Sequence, residues 1–110
     1  MQGSRQLKVL SIKRTRIEGR DIHRFCNALA YNKYLKVLYI GQNKLGDIGM
    51  ENLADAISRN NSLEYLDAFD VDFSNGAAKS LDTAIRKNAS LKSIRFANTR
   101  VSADVAESLL

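Results

Sequence analysis

The stretch that decides the fold is residues 35–53, which read LKVLYIGQNKLGDIGMENL. Its first six residues, from Leu35 to Ile40, alternate apolar side chains in the manner of a short strand. Farther on, Met50, Leu53 and Ile57 recur at three- and four-residue steps, which is the spacing of one helix face. The stretch therefore predicts a strand followed by a helix.

This pattern recurs with a period of 28 residues along the chain. We divide the sequence into an N-terminal tail, 1–6, and a single domain, 7–110, whose last unit is truncated. Each predicted helix ends at an asparagine, a residue that tolerates the left-handed conformation in which many helices stop. The repeat units are 7–34, 35–62, 63–90 and 91–110; the predicted strands lie near 9–12, 37–40, 65–68 and 93–96; the predicted helices lie near 20–31, 47–59, 75–87 and from 103; and the terminating asparagines are Asn32, Asn60 and Asn88.

One such unit buries too few side chains to offset the conformational entropy of ordering its backbone. Stability must come from neighbouring units, with strand pairing to strand and helix packing on helix. Units of equal length in register predict a parallel sheet with every helix on one side. The expected shape is a curved solenoid whose strands line the hollow.

The pattern L-x-x-L-x-I-x-x-N-x-L-x-D-x-G-x-x-x-L at 35–53 resembles the ribonuclease-inhibitor type of leucine-rich repeat, and the resemblance covers residues 7–110. It implies an α/β fold, a right-handed solenoid with parallel strands on the concave face and helices on the convex face. Members of this family include inhibitors, sensor domains of immune receptors, actin-capping tropomodulin-like proteins and activators of small GTPases, so the resemblance implies protein binding.

One column of the repeat departs from the family pattern, reading Thr15, Asn43, Val71 and Thr99. In this family the asparagine bonds the backbone of the turn that follows the strand. A threonine can do this in part, whereas Val71 has no polar atom to offer. The third unit is therefore expected to have a looser turn or a shifted register.

Between the core positions of each strand lie side chains that point to the hollow, and these vary from unit to unit. Aromatic residues beside charges are typical of binding hot spots, so this face is the candidate partner-binding surface. Two alternatives stay open: the charges pair across neighbouring strands, as Asp67 would with Arg95, or a bulge turns Phe69 into the core beside the small Ala68. The candidate partner-binding residues are Lys13, Tyr39, Tyr65, Asp67, Phe69, Asp70 and Arg95.

Composition excludes several classes. A single cysteine fits a reducing compartment better than a disulfide-stapled secreted fold, and no apolar run approaches a membrane span, so a cytoplasmic location is expected. Residues 70–76 do not fit a calcium loop. His23 and Cys26 are three residues apart on a helix, but Cys26 is expected near the surface of the helix layer, without the pocket that a nucleophile needs. We expect no catalysis, no metal and no cofactor.

The preferred function is a protein-interaction module that forms a segment of a larger cytosolic protein and whose partner the sequence does not identify. One alternative is a regulator of a small GTPase, by similarity to one branch of the family. A second is nucleic-acid binding through the basic first unit, since the chain carries a net charge of +5. The alternative to a segment of a longer protein is end-to-end stacking of copies through their uncovered solenoid ends. The basic residues of that first unit are Lys8, Lys13, Arg14, Arg16 and Arg20.

Overall fold

The computed structural model describes residues 7–17, 20–72 and 74–95. Strands and helices alternate in the predicted order, and their bounds differ from the predicted ones by one residue at most. Some of the predicted features lie outside the described residues. They are the N-terminal tail, the helix predicted from 103, and four apolar residues that continue the core columns of the repeat, namely Phe73, Phe96, Val101 and Leu109. The elements are β1 Val9–Ser11, α1 Arg20–Tyr31, β2 Val37–Tyr39, α2 Gly46–Arg59, β3 Tyr65–Asp67, α3 Asn75–Lys87 and β4 Ser93–Arg95.

The strands form one parallel four-stranded sheet in the order β1-β2-β3-β4. Each strand pairs with the next at an offset of one repeat, so that Val37 lies opposite both Val9 and Tyr65. The helices pack on one another in the same order, α1 against α2 and α2 against α3. The predicted α/β solenoid, with strands lining one face and helices backing the other, is therefore confirmed.

The core lies between the sheet and the helices and is built from the repeated apolar columns. Leu35 and Leu63, which open the second and third units, are fully buried, and so are Leu38 and Leu66, three residues farther along each unit. In the first and last described units the equivalent Leu7 and Leu91 are only partly buried. Burial thus follows the number of neighbouring turns, as expected where no unit is stable alone.

The asparagines at the helix ends stabilise the solenoid in a different way from the one predicted. Asn60 has φ −86° and ψ 138°, an extended backbone and not the left-handed one. Its side-chain Nδ2 donates to the carbonyl of Leu29 at 2.7 Å, and its Oδ1 accepts from the backbone N–H of Leu63 at 2.7 Å. Asn88 repeats the arrangement one turn later, donating to Ile57 and accepting from the N–H of Leu91. The asparagines therefore join consecutive turns through their side chains.

The turn after β3 keeps the geometry of the other turns, which corrects the expectation of a looser turn or a shifted register. Gln42 and Asp70 occupy the same left-handed conformation, with φ 58° and 62°, and β3 pairs with both neighbours in the unshifted register. Asn43 bonds its turn as the family pattern implies, donating to the carbonyl of Ile40 at 3.0 Å. At the equivalent position Val71 is fully buried instead. Apolar burial thus replaces the missing amide bonds at this position.

Cys26 corrects a second expectation, because it is buried, with 5% of its surface exposed, and not near the surface of the helix layer. It shares its repeat position with the buried Ala54 of α2, and α2 packs directly against α1. Burial, followed by the negative charge of Asp55, raises the pKa of the Cys26 thiol to about 12. The thiol is therefore protonated at neutral pH.

Candidate binding face of the sheet

Parallel pairing at an offset of one repeat brings most of the predicted site residues into two neighbouring clusters. The first joins Lys13, from the turn after β1, to the tyrosines of β2 and β3. The second joins Arg95 of β4 to Asp67 of β3 and to the turn that follows it. Asp70, in that turn, is exposed at the edge of the face. We call this surface the concave face; it comprises Lys13, Tyr39, Tyr65, Asp67, Phe69, Asp70 and Arg95.

The tyrosine cluster presents aromatic surface at the middle of the sheet. Tyr39 and Tyr65 are half-buried, and their ring centroids lie 6.0 Å apart at an interplanar angle of 66°, an edge-to-face arrangement. The Nζ atom of Lys13 lies 6.0 Å from the Tyr39 ring centroid, at the outer limit of a cation–π contact. The two rings therefore hold each other in place, and the exposed ammonium borders them on the β1 side.

Tyr65 has a raised pKa, caused first by burial and then by the negative charge of Asp67, with Tyr39 adding a smaller effect. The positive charge of Arg95 acts in the opposite direction. The phenol is consequently neutral across the physiological range and keeps its O–H donor.

The second cluster is built around a buried carboxylate. Asp67 is 2% exposed, and its Oδ2 lies 3.3 Å from Nη1 of Arg95, which confirms the predicted cross-strand pair. Its Oδ1 accepts the backbone N–H of Phe69 at 2.9 Å. The sequence predicted that this carboxylate would be available to a partner at the surface, but it is buried. It lies below Arg95 and fixes the position of the guanidinium.

Phe69 lies outside the apolar core, and Ala68 fills the core position that a bulge would have vacated. The Phe69 ring is half-buried, and the guanidinium carbon of Arg95 lies 4.5 Å from its centroid. Stacking on the ring and pairing with Asp67 together hold Arg95, while its side chain remains 57% exposed. The alternative in which a bulge turns Phe69 into the core therefore does not occur.

Sequence reasoning missed two elements of this face. The carboxylate of Glu64 lies 3.5 Å from the ammonium of Lys36 and 3.7 Å from that of Lys92, so its charge is balanced from both neighbouring units. The repeat column Lys8, Lys36, Glu64, Lys92 carried this signal. Gly41 is buried, and a Cβ there would lie 2.4 Å from the carbonyl oxygen of Phe69, so this position requires glycine. The requirement arises from the pairing of two turns and was not apparent from the local sequence.

Within residues 7–17, 20–72 and 74–95, no group of three or more His, Cys, Asp or Glu side chains is placed to hold a metal ion. In the same ranges no helix combines the length and the apolar character that crossing a bilayer requires.

Comparison with known proteins places this geometry among leucine-rich-repeat structures. The chain is 29% identical to the ribonuclease inhibitor of Sus scrofa over 102 residues and 31% identical to that of Mus musculus over 94 residues, which are 92% and 84% of this chain. It spans only 22% and 21% of the length of these relatives. No protein-family model matches the chain.

Among solved structures, the actin-binding site 2 of leiomodin-1 superposes with a TM-score of 0.86 at 16% sequence identity. The match covers 98% of this chain and 64% of that one. At this level of identity the likeness concerns the fold.

Proposed function

We propose that this chain, which is a leucine-rich-repeat protein of the ribonuclease-inhibitor-like type, binds a protein partner on the concave face of its sheet. The observation that carries the proposal is the pair of clusters on that face, in which two tyrosines and one arginine are held in fixed positions while remaining partly exposed. Tyr and Arg are the side chains most enriched at the centres of protein interfaces.

The scaffold beneath these side chains supports the proposal. Every strand of the sheet is hydrogen-bonded to its neighbours, and the turns are joined by backbone bonds such as that from the N–H of Gln42 to the carbonyl of Phe69 at 2.9 Å. A surface ordered before association loses little conformational entropy when the partner arrives. The core columns repeat while the concave columns vary, which suits a scaffold that carries a specific recognition surface.

We assign different roles to the site residues. Tyr39, Tyr65 and Arg95 contact the partner directly. Asp67, buried beneath Arg95, positions that guanidinium and does not itself reach the partner. The remaining members, Lys13, Phe69 and Asp70, border the contact and adjust its charge.

We further propose that the chain acts as a segment of a longer repeat array in the cytoplasm. The relatives are about four times as long, because the 102 and 94 matched residues are 22% and 21% of their length. A single cysteine, buried at 5% exposure, suits a reducing compartment. Sequencing the reading frame that flanks this segment tests the proposal directly, and a stop codon on each side would contradict it.

The binding test uses the two proteins that the relatives' names suggest, actin and a ribonuclease. Each is titrated against the immobilised wild-type chain and against the Tyr39→Ala/Tyr65→Ala variant. The matched control is Tyr31→Ala, a tyrosine on α1 that is 73% exposed. We expect the double variant to weaken binding about 30-fold, since two hot-spot rings contribute about 2 kcal/mol, and Tyr31→Ala to leave it unchanged.

If neither protein binds, ligands selected from a displayed protein library against the wild-type chain replace them in the same titration. A ligand set whose affinity is equal for the wild-type chain and for Tyr39→Ala/Tyr65→Ala would refute binding through the concave face.

A further inference from the structure

The two cations of the concave face, Lys13 and Arg95, extend inward from opposite sides of the sheet. Lys13 follows β1, and its ammonium lies over the Tyr39 ring of β2. Arg95 belongs to β4, and its guanidinium lies over the Phe69 ring in the turn after β3. Each cation therefore lies against an aromatic ring of the neighbouring unit, on the side toward the middle of the sheet, where neighbouring strands are about 4.8 Å apart.

Among the described residues, the register position between Lys13 and Phe69 carries no side chain. Gly41 occupies the column of Lys13 and Phe69, and its buried backbone approaches the Phe69 carbonyl too closely for a Cβ to fit. The guanidinium of Arg95 carries five N–H donors, and only Nη1 bonds to Asp67. Donors therefore remain for a second acceptor above Gly41.

We propose that Lys13 and Arg95 together bind a carboxylate side chain of the partner, so that the partner offers an extended acidic segment to the concave face. The proposal rests on the proposed function and specifies the chemistry of its partner. A carboxylate accepts two hydrogen bonds in the plane of a guanidinium and pairs with an ammonium as well. We call the space above Gly41, between the cations of Lys13 and Arg95, the carboxylate seat. The rings of Tyr39 and Tyr65 lie beside it and exclude water from one side.

The charges around the seat favour an acidic ligand. Asp67 of β3 and Glu64, the residue before β3, are already paired with basic side chains of neighbouring units. Basic side chains dominate the rest of the β1 side, where Lys8, Lys13 and Arg14 are all exposed. Asp70 is an exposed acid next to Phe69, so it repels a carboxylate at the seat, and its removal should strengthen binding.

An acidic protein segment fits better than a nucleic acid. A phosphate backbone is bound by a continuous track of cations. Here the exposed acids Asp70 and Asp72 interrupt the basic surface at the turn after β3. A carboxylate needs only the two cations that the rings of Tyr39 and Phe69 hold.

The test is a titration of the isotopically labelled chain with an octapeptide of alternating glutamate and serine, followed by amide chemical shifts at low salt. We expect the largest shifts at Gly41, Gln42 and Phe69. The glutamine version of the peptide should bind at least about tenfold more weakly, because charge-assisted hydrogen bonds become neutral ones. Equal affinity for the two peptides would overturn the proposal.

Variants of the chain test the same seat. Lys13→Gln should weaken the glutamate peptide about tenfold and Asp70→Asn should strengthen it about twofold. Because Arg95→Gln alone would leave the buried Asp67 unpaired, the informative variant is Asp67→Asn/Arg95→Gln, which removes both charges and should also weaken binding about tenfold. The matched control is Lys79→Gln on the exposed side of α3, which should change nothing.

Two further outcomes separate this proposal from the one on which it rests. If the glutamate peptide ignores Lys13→Gln while the protein ligands still depend on Tyr39 and Tyr65, the carboxylate seat is wrong and the binding face stands. If the peptide depends on Lys13 but no protein ligand depends on the tyrosines, the proposed function fails and the seat stands. Tighter binding of a single-stranded oligonucleotide than of the glutamate peptide would overturn an acidic protein as partner.

Discussion

Replacing Asn60 with alanine should cost the protein a large part of its stability. Asn60 is fully buried, between the second and third turns of the solenoid. Its amide donates to the carbonyls of Leu29 and Asn32 at 2.7 and 3.1 Å, and its oxygen accepts from the N–H groups of Ser62 and Leu63 at 2.8 and 2.7 Å. An alanine side chain would leave all these backbone groups without this partner.

The magnitude follows from these bonds. A net contribution of about 1 kcal/mol for each of these bonds implies a loss of about 4 kcal/mol, to which the desolvation cost of the unpaired backbone groups adds. A domain of this size has an unfolding free energy of about 5–15 kcal/mol. Asn60→Ala should therefore lower the urea concentration at the unfolding midpoint substantially, without changing the slope with which the unfolding free energy falls as urea increases.

The assay is urea unfolding followed by circular dichroism, with Asn61→Ala as the matched control. Asn61 is the next residue, of the same type, but exposed, so its replacement should change the unfolding free energy by less than about 0.5 kcal/mol. A loss below about 1 kcal/mol for Asn60→Ala, or equal losses for both variants, would refute the view that these asparagines join the turns.

Other predictions concern packing and titration. Gly41→Ala should destabilise the fold by about 1–3 kcal/mol because its Cβ would lie 2.4 Å from the Phe69 carbonyl oxygen. In the control Gly76→Ala the new Cβ meets nothing nearer than Ser74 Oγ at 3.7 Å, and the higher helix propensity of alanine should stabilise the fold by about 0.5–1 kcal/mol. Equal urea midpoints for the two variants would contradict this. Since burial raises the pKa of Cys26 to about 12, its thiol should react with a soluble disulfide reagent at pH 8 only after urea unfolding, and fast reaction of the native chain would show that the thiol is accessible. Because this pKa lies above the ordinary value of 9.0, the stability contributed by the protonated thiol should be complete below pH 9.0 and should decline as the pH rises toward 12. Urea midpoints of the wild-type chain and of Cys26→Ala, measured between these two pH values, test this dependence.

The arrangement of the concave face could be anticipated only in part. The pair of Asp67 and Arg95 was predictable, because residues one repeat apart on adjacent parallel strands lie side by side. The depth of Asp67 was not, because its burial depends on Arg95 and the Phe69 turn closing over it. Likewise, the stacking of Arg95 on Phe69 depends on the side-chain direction in a neighbouring turn.

The helix layer shows the same division. Cys26 occupies a repeat position that reads as alanine and aspartate in the next two units, and polarity at that position suggested the surface. The packing of α2 against α1 decided otherwise. The asparagines were correctly placed at the ends of the helices, but their extended backbone and cross-turn bonds arise only when a second turn supplies the partners.

The repeat length, the alternation of strand and helix and the apolar columns of the core can be read from residue order alone, because apolar residues recur with the repeat. The burial of polar side chains, the pairing of charges and the directions of Lys13 and Arg95 cannot be read in this way. They depend on atoms one repeat away, which come into place only when successive turns stack.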